Sequence, residues 1–290
     1  MPELPEIEIT VRELKKKVLE RTFVDVWTDS KKQIKKPKDF TLFKKEIKGK
    51  KIKNVKRRAK LILFDLSGDK TLLIHQKLTG HLLLGKWEKK GNQWRPPPGF
   101  LSEKMNTFIH LLFFLDNGLM LALSDLRKFA KVELWNTKEL LSSEQMKKLG
   151  VEPLSKEFTF EKFRKLLEGK KRKIKQVLMD QEVIAGIGNI YSDEILFEAR
   201  INPFKTSSDL NIAELKRLYS AIIKILKKAI KLQGESISDW RMPDGRKGSF
   251  DRYRKVYRRE GQPCFNCGTL ILRKKIGARS TYFCPKCQPL

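Results

Sequence analysis

At 290 residues the chain can bury full cores in two or more domains. Its 63 Lys and Arg against 34 Asp and Glu give +29, an excess that favours a polyanionic partner, because basic surfaces gain affinity by releasing counterions from phosphates. No window approaches the roughly 18 apolar residues of a membrane span and the start is charged, which argues against a membrane partner and for a soluble cytosolic protein.

The chain begins Met1-Pro2-Glu3-Leu4-Pro5-Glu6. Removal of Met1 would leave Pro2 as a free secondary amine, a nucleophile that needs no side chain. A terminal amine titrates near 7.7 to 8.0, so about a tenth is neutral at pH 7, against well under a thousandth of a lysine. Glu3 beside it can serve as general acid or base. Proline and acidic residues are also ordinary helix starters. Ile7, Val11, Leu14 and Val18 then recur at helical spacing, which predicts an amphipathic helix over residues 3–19 that packs on a core and mounts the terminus.

From residue 22 to about 135 the pattern changes to short β-rich runs, at 23–27, 61–64, 72–74, 108–115 and 119–123. Ser67-Gly68-Asp69 and Asp116-Asn117-Gly118 are hairpin turn signals. Together they predict a sandwich of two sheets. The stretch 91–99, with three prolines, reads as a surface loop. His81 and His110 read as structural.

Residues 136–155 read as a linker with a short helix, and helices are predicted over 160–167, 174–179, 189–199 and 213–232. Gly186-Ile187-Gly188-Asn189 opens the third of these, as a tight turn whose backbone amides and Asn189 side chain can meet a phosphate. Glu194 reads as a helix-surface charge. The polar segment 234–250 reads as a loop.

All four cysteines fall in the last 27 residues, as Cys264-x2-Cys267, then 16 residues, then Cys284-x2-Cys287. Two such pairs predict one structural zinc ion in a closed tetrahedral site, and the placement argues against disulfides. Residues 268–283 would form a β-hairpin carrying Lys274, Lys275 and Arg279.

Six separated stretches, in order, resemble the formamidopyrimidine-DNA glycosylase family: Pro2 to Glu6; Arg57-Arg58-Ala59-Lys60; His75-Gln76-Lys77-Leu78-Thr79-Gly80; Asp125-Leu126-Arg127-Lys128-Phe129-Ala130; the run 178–203; and Arg279 to Cys284. The resemblance implies an α+β multidomain chain. Its parts would be an N-terminal helix and β-sandwich catalytic domain (1–135), a linker (136–155), a helix-two-turns-helix DNA-binding domain (156–235), and a lesion-loop segment with the zinc finger (236–290). It implies a bifunctional glycosylase and abasic-site lyase acting on oxidised purines in double-stranded DNA, as a monomer in a bacterial-type cytoplasm at the nucleoid.

The resemblance also implies roles. Pro2 would attack the sugar, Glu3 would move protons, Glu6 would support the terminus, and Lys60 and His75 would hold phosphates near the lesion. Leu78 stands where the family has a methionine wedge, Arg127 would fill the space of the extruded nucleotide, and Phe129 would wedge between base pairs. Asn189 and Arg279 would grip the backbone. Leu126 for proline and Ala130 for glycine depart from the pattern. Leu4 and the loop 234–250 favour the formamidopyrimidine branch over the endonuclease VIII branch, which acts on oxidised pyrimidines. Other readings are a non-catalytic damaged-DNA binder of the same fold and a zinc-ribbon RNA binder.

Overall fold

The computed structural model describes residues 1–91, 93–236 and 239–290. The chain divides into two compact units, Met1–Lys147 with Leu232–Asp251, and Lys148–Lys231 with Arg252–Leu290.

The first unit opens with α1 (Leu4–Val18), whose stripe of Ile7, Val11, Leu14 and Val18 is buried while Lys15, Lys16 and Lys17 lie in its last turn, where cations meet the negative end of the helix dipole. The chain continues through β1 (Phe23–Thr28), β2 (Ile34–Lys36), α2 (Phe40–Ile47), β3 (Ile52–Arg58), β4 (Leu61–Leu66), β5 (Lys70–His75) and β6 (His81–Gly85). It then forms β7 (Glu88–Lys90), β8 (Gln93–Arg95), β9 (Ile109–Leu115), β10 (Met120–Ser124), β11 (Lys131–Asn136), α3 (Thr137–Ser142) and α4 (Glu144–Lys147).

Two large sheets result, ordered β1-β9-β10-β6 and β2-β11-β5-β4-β3, beside the two-stranded β7-β8. Alternate residues point to a shared interior: Val26, Phe113 and Leu123 from one sheet join Val55, Phe64, Leu72 and Val132 from the other, with the apolar faces of α1 and α2, in one cluster. Gly118 holds φ +76° in the β9–β10 turn, and Gly68 holds +71° in the β4–β5 turn, conformations that favour glycine. The stretch 91–99 is not a plain loop. The β7–β8 hairpin lays Trp94 on the outer face of the four-stranded sheet, with ring centroids 5.8 Å from Trp27 and 5.5 Å from Phe114; Asn92 lies outside the described residues.

Residues 232–251, read from sequence as the end of a helix and a polar loop, return to the first unit. Trp240, Met242 and Phe250 are buried there. Leu84 N donates to Pro243 O at 2.7 Å, and Arg241 donates to both oxygens of Glu103 at 2.7 and 2.6 Å. The central Ile237 and Ser238 of that loop lie outside the described residues.

The second unit contains α5 (Phe160–Leu167), α6 (Ile174–Met179), α7 (Asn189–Glu198), α8 (Ile212–Lys231), and the hairpin β12 (Leu272–Ile276) with β13 (Arg279–Phe283). α8 buries Leu218, Ala221, Ile222, Leu226 and Ala229 along one face. Phe197 of α7 joins Val256, Cys264, Ile271, Tyr282 and Cys284 in the core beneath the hairpin. No helix among the described residues is long and apolar enough to cross a membrane.

Candidate active site

The amino terminus is a built site. Glu3 caps α1, and the Glu6 side chain reaches back to accept from Glu3 N at 2.8 Å, half of a capping box. The other Glu6 oxygen accepts from Glu235 N at 2.9 Å, so one carboxylate ties the terminus to the returning segment. Gly234 is required next to it. Its φ is +77°, and a Cβ there would lie 2.9 Å from Glu6 Oε1 and 3.1 Å from Trp240. Pro2, Glu3 and Glu6 are all buried. Burial holds the Met1 amine below the usual range for a terminal amine, opposed by Glu3, Glu6 and Asp239 and aided by Lys60.

Lys60 is largely buried at the turn between β3 and β4, which Ala59 makes at φ +53°. It acts on the terminal amine and on His75 alike. His75 ends β5, and its pKa is pushed down to about 3 by burial, with Lys77, Lys60 and Lys131 adding to the effect. The ring is therefore neutral at physiological pH. Its Nδ1 accepts from Lys77 N at 2.9 Å, which leaves the proton on Nε2, a neutral donor suited to a phosphate oxygen.

His81 is held otherwise, fully buried between Asn106 Oδ1 (2.9 Å) and Thr79 O (3.4 Å), and burial lowers its pKa to about 4. Here the unfolded chain binds a proton near pH 6.5 while the folded chain does not until about pH 4. Stability therefore falls as pH drops through that window. Between pH 7 and 5 His81 is expected to remove about 2 kcal/mol, and His81→Gln should show a shallower decline of melting temperature with pH; an equal decline would refute it.

Leu78 lies half-buried in the turn after β5, whereas Arg127 and Phe129 stand exposed on the loop between β10 and β11. The Arg127 guanidinium rests 4.6 Å above the Phe129 ring.

In the second unit, Asn189 begins α7 after Gly186, at φ +96°, and Gly188. Gln181 staples that turn: its amide donates to Met179 O and Ile187 O at 2.9 and 2.7 Å and accepts from Gly186 N at 2.8 Å. Arg279 starts β13, exposed, and lines one hollow with Arg172, Lys175 and Gln176. Buried Lys175 donates to Ser280 O and Thr281 Oγ1, both at 3.0 Å, and pairs with Asp193 at 2.7 Å. Asp193 accepts from Tyr282 N at 3.0 Å, and burial lifts its pKa to about 7 against the pull of Lys175. Thus α6 and α7 grip the strand that carries Arg279.

Glu194 is not a surface charge. It is 1% exposed and accepts from the backbone N–H groups of Lys255, Val256 and Tyr257 at 2.8 to 3.0 Å, fixing the chain that enters the finger. Neither this carboxylate nor the Lys175–Asp193 pair carries a signal in the sequence.

The four cysteine sulfurs lie within 4.8 Å of one another. Separations of 3.8, 3.5 and 3.4 Å for Cys264–Cys287, Cys267–Cys284 and Cys267–Cys287 fit the edges of a tetrahedron around one ion with Zn–S bonds of about 2.3 Å. Hydrogen bonding with Thr269 lowers the Cys267 thiol, whereas burial raises Cys284 and Cys287.

The predicted residues thus form three groups. Pro2, Glu3, Glu6 and Lys60 lie at the terminus, and His75 feels the charge of Lys60; Leu78, Arg127 and Phe129 project from two turns of the same unit; Asn189, Arg279 and the cysteines belong to the second unit. Comparison with known proteins covers the same ground. The family models for the formamidopyrimidine-DNA glycosylase N-terminal domain, the H2TH domain, and the zinc finger found in FPG and IleRS match residues 1–132, 149–240 and 261–290. A formamidopyrimidine-DNA glycosylase of Heliobacterium modesticaldum is 39% identical over 293 residues, covering 99% of this chain and 100% of that protein. Among solved structures, a Lactococcus lactis FPG mutant in complex with Fapy-dG-containing DNA superposes with a TM-score of 0.88 at 32% identity, over 100% of both chains. MutM in complex with carbocyclic 8-oxo-G-containing DNA gives 0.87 at 33%, again over 100% of both. Matches that span every domain in order, on a chain whose terminus, turns and cysteines are built as described, place it in the formamidopyrimidine-DNA glycosylase family.

Proposed function

We propose that the protein excises oxidised purines from double-stranded DNA and then cuts the abasic strand, with Pro2 as nucleophile once Met1 is removed. The observation that carries this reading is the setting of the terminus: burial favours the neutral form of the Met1 amine, next to Pro2, with the charges of Glu3, Glu6 and Lys60 acting on it. The Pro2 nitrogen pair attacks C1′ of the extruded nucleotide. The C1′–base bond breaks, its electrons leave with the base, and the base takes up a proton. Glu3 takes the N–H proton that Pro2 carries through the attack and gives it to the ring oxygen as the C1′–O4′ bond opens, leaving an iminium between C1′ and Pro2.

A secondary amine has no N–H left to lose from that iminium, so the positive charge persists and acidifies C2′. Loss of the C2′ proton expels the 3′ phosphate, and a second elimination expels the 5′ phosphate. Water on C1′ frees Pro2. Glu6 holds Glu3 and the returning segment in register, while Lys60, His75, Asn189 and Arg279 hold phosphates, each contact adding to salt-sensitive affinity. Leu78, Arg127 and Phe129 occupy the space vacated in the stack, offsetting an extrusion cost of a few kcal/mol. Zinc, when bound, cross-links the two cysteine pairs. We infer action as a monomer, in the cytoplasm at chromosomal DNA.

The test is borohydride reduction in the presence of duplex containing 8-oxoguanine opposite cytosine, on protein whose N-terminal mass shows Met1 to be gone. A covalent complex mapped to Pro2 is expected. Trapping on oxidised pyrimidines alone would move the assignment to endonuclease VIII-type chemistry. No trapping on either, or on abasic DNA, would leave a non-catalytic DNA binder.

A further inference from the structure

The turn that carries Leu78 and the loop that carries Arg127 and Phe129 are joined beneath the surface. Asp125 is fully buried. Its Oδ1 accepts from Thr79 Oγ1 at 2.5 Å, and its Oδ2 accepts from Gln33 Nε2 at 3.0 Å and Ala130 N at 2.8 Å. The Thr79 hydroxyl, having given its proton to Asp125, accepts from Arg127 N at 3.1 Å. One hydroxyl is therefore held twice by the opposite loop, through its proton and a lone pair. The turns also touch. A Cβ on Gly80 would lie 3.3 Å from Ala130 Cβ and 2.4 Å from Gln76 O, so the 76–80 turn packs against the far end of the 125–130 loop with no side chain between them.

We propose that Thr79 and Asp125 are positioning residues for base extrusion, locking the Leu78 turn and the Arg127–Phe129 loop into one piece that enters the duplex in a single register. This rests on the activity proposed above. Extrusion unstacks a base in one step, so the groups that fill the void have to arrive together. If the loops moved independently, each would have to be ordered in the course of that step. A buried carboxylate hydrogen-bonded to a hydroxyl and a backbone N–H sets their separation before DNA binds, and neither residue needs to touch DNA. An abasic site has no base to extrude, so its cleavage depends less on the lock.

Thr79→Val keeps the shape and removes the hydroxyl; Thr79→Ser keeps the hydroxyl. Single-turnover excision of 8-oxoguanine opposite cytosine and cleavage of a pre-formed abasic site would be measured at saturating DNA. Fluorescence of a pyrrolocytosine opposite the lesion would report the orphaned base. Thr79→Val is expected to slow excision about 10-fold, and to reduce the fluorescence change, while abasic cleavage changes less than about 3-fold and Thr79→Ser stays within about 2-fold of the unmodified protein. Asp125→Asn, whose amide oxygen can still accept from Gln33 and Ala130 but whose NH2 then faces Thr79 and cannot accept its proton, is read the same way and decides the matter if Thr79→Val does not fold. Excision at the unmodified rate in the folded variant would overturn the coupling, as would equal loss of both reactions. Inactivity of the unmodified protein on both duplexes would instead overturn the assigned activity.

Discussion

Replacing Pro2 with glycine is expected to lower strand cleavage at an abasic site by about 100-fold, equivalent to about 2.7 kcal/mol of transition-state stabilisation. Affinity for an uncleavable abasic analogue should stay within about 2-fold, since Pro2 adds no phosphate contact. The variant retains a terminal amine, so loss would not reflect absence of a nucleophile. Glycine gives a primary amine, whose iminium can shed its N–H proton to a neutral imine and so lose the charge that acidifies C2′. It also lacks the ring that ties the nitrogen to the side chain, and a free terminal glycine spends less time aimed at C1′. Burial lowers the Met1 amine, and Glu3, Glu6 and Lys60 would also surround Pro2. The acid limb of kcat/KM should therefore rise with pH through a value below the ordinary 8 of a terminal amine, because the free base is the reactive form. Mass spectrometry of the terminus must accompany the assay, because retained Met1 would mimic the defect. Unchanged cleavage by a correctly processed Pro2→Gly protein would remove Pro2 from the reaction.

Much of the fold could be read in the sequence where the cause is local. The 3.6-residue stripe of α1, the glycine turns at Gly68 and Gly118, and the spacing of the cysteines each rest on a few neighbouring residues. β3 was less legible because Ile52-Lys53-Asn54-Val55-Lys56 alternates only weakly and its apolar face becomes evident once β4 pairs with it. The return of residues 232–251 could not be read at all. It depends on Glu235 N meeting Glu6, 229 positions away, and on Arg241 meeting Glu103, 138 positions away.

The site divides the same way. Residues inside short motifs carry a local signal, but the groups that hold those motifs do not. Asp125 was visible as the first letter of a loop, with nothing to show that it faces Thr79. Glu194 reads as external in the sequence because α7 is buried over most of its circumference, from Tyr191 through Phe197, and so has no apolar stripe that would set an inner face apart from an outer one. Lys175 and Asp193 lie on different helices, and their purpose appears with the finger strand they grip.

That grip makes removal of zinc the second large effect expected. Cys264 and Cys284 share a core with Phe197 of α7, Val256, Ile271 and Tyr282, a small cluster whose folding would draw directly on metal binding. Without the ion, four thiols crowded within 4.8 Å lose their common partner. As β13 loosens, Lys175 and Asp193 lose Ser280 O, Thr281 Oγ1 and Tyr282 N. Lys175 and Asp193 keep each other but lose the hydrogen bonds that offset their desolvation, so the disturbance should spread into α6 and α7. Cys284→Ala, or chelation, is thus expected to abolish stoichiometric zinc and split thermal unfolding into two steps, the first unit melting last. Affinity for abasic-analogue duplex should fall at least about 10-fold. The slope of log Kd against log salt should drop by about one as Arg279 is lost. Arg279→Ala, with zinc retained, should reproduce the change in slope without the early melting step, separating the contact from its scaffold. A zinc-free protein that bound the duplex with unchanged affinity and salt dependence would show that neither the finger nor Arg279 holds DNA.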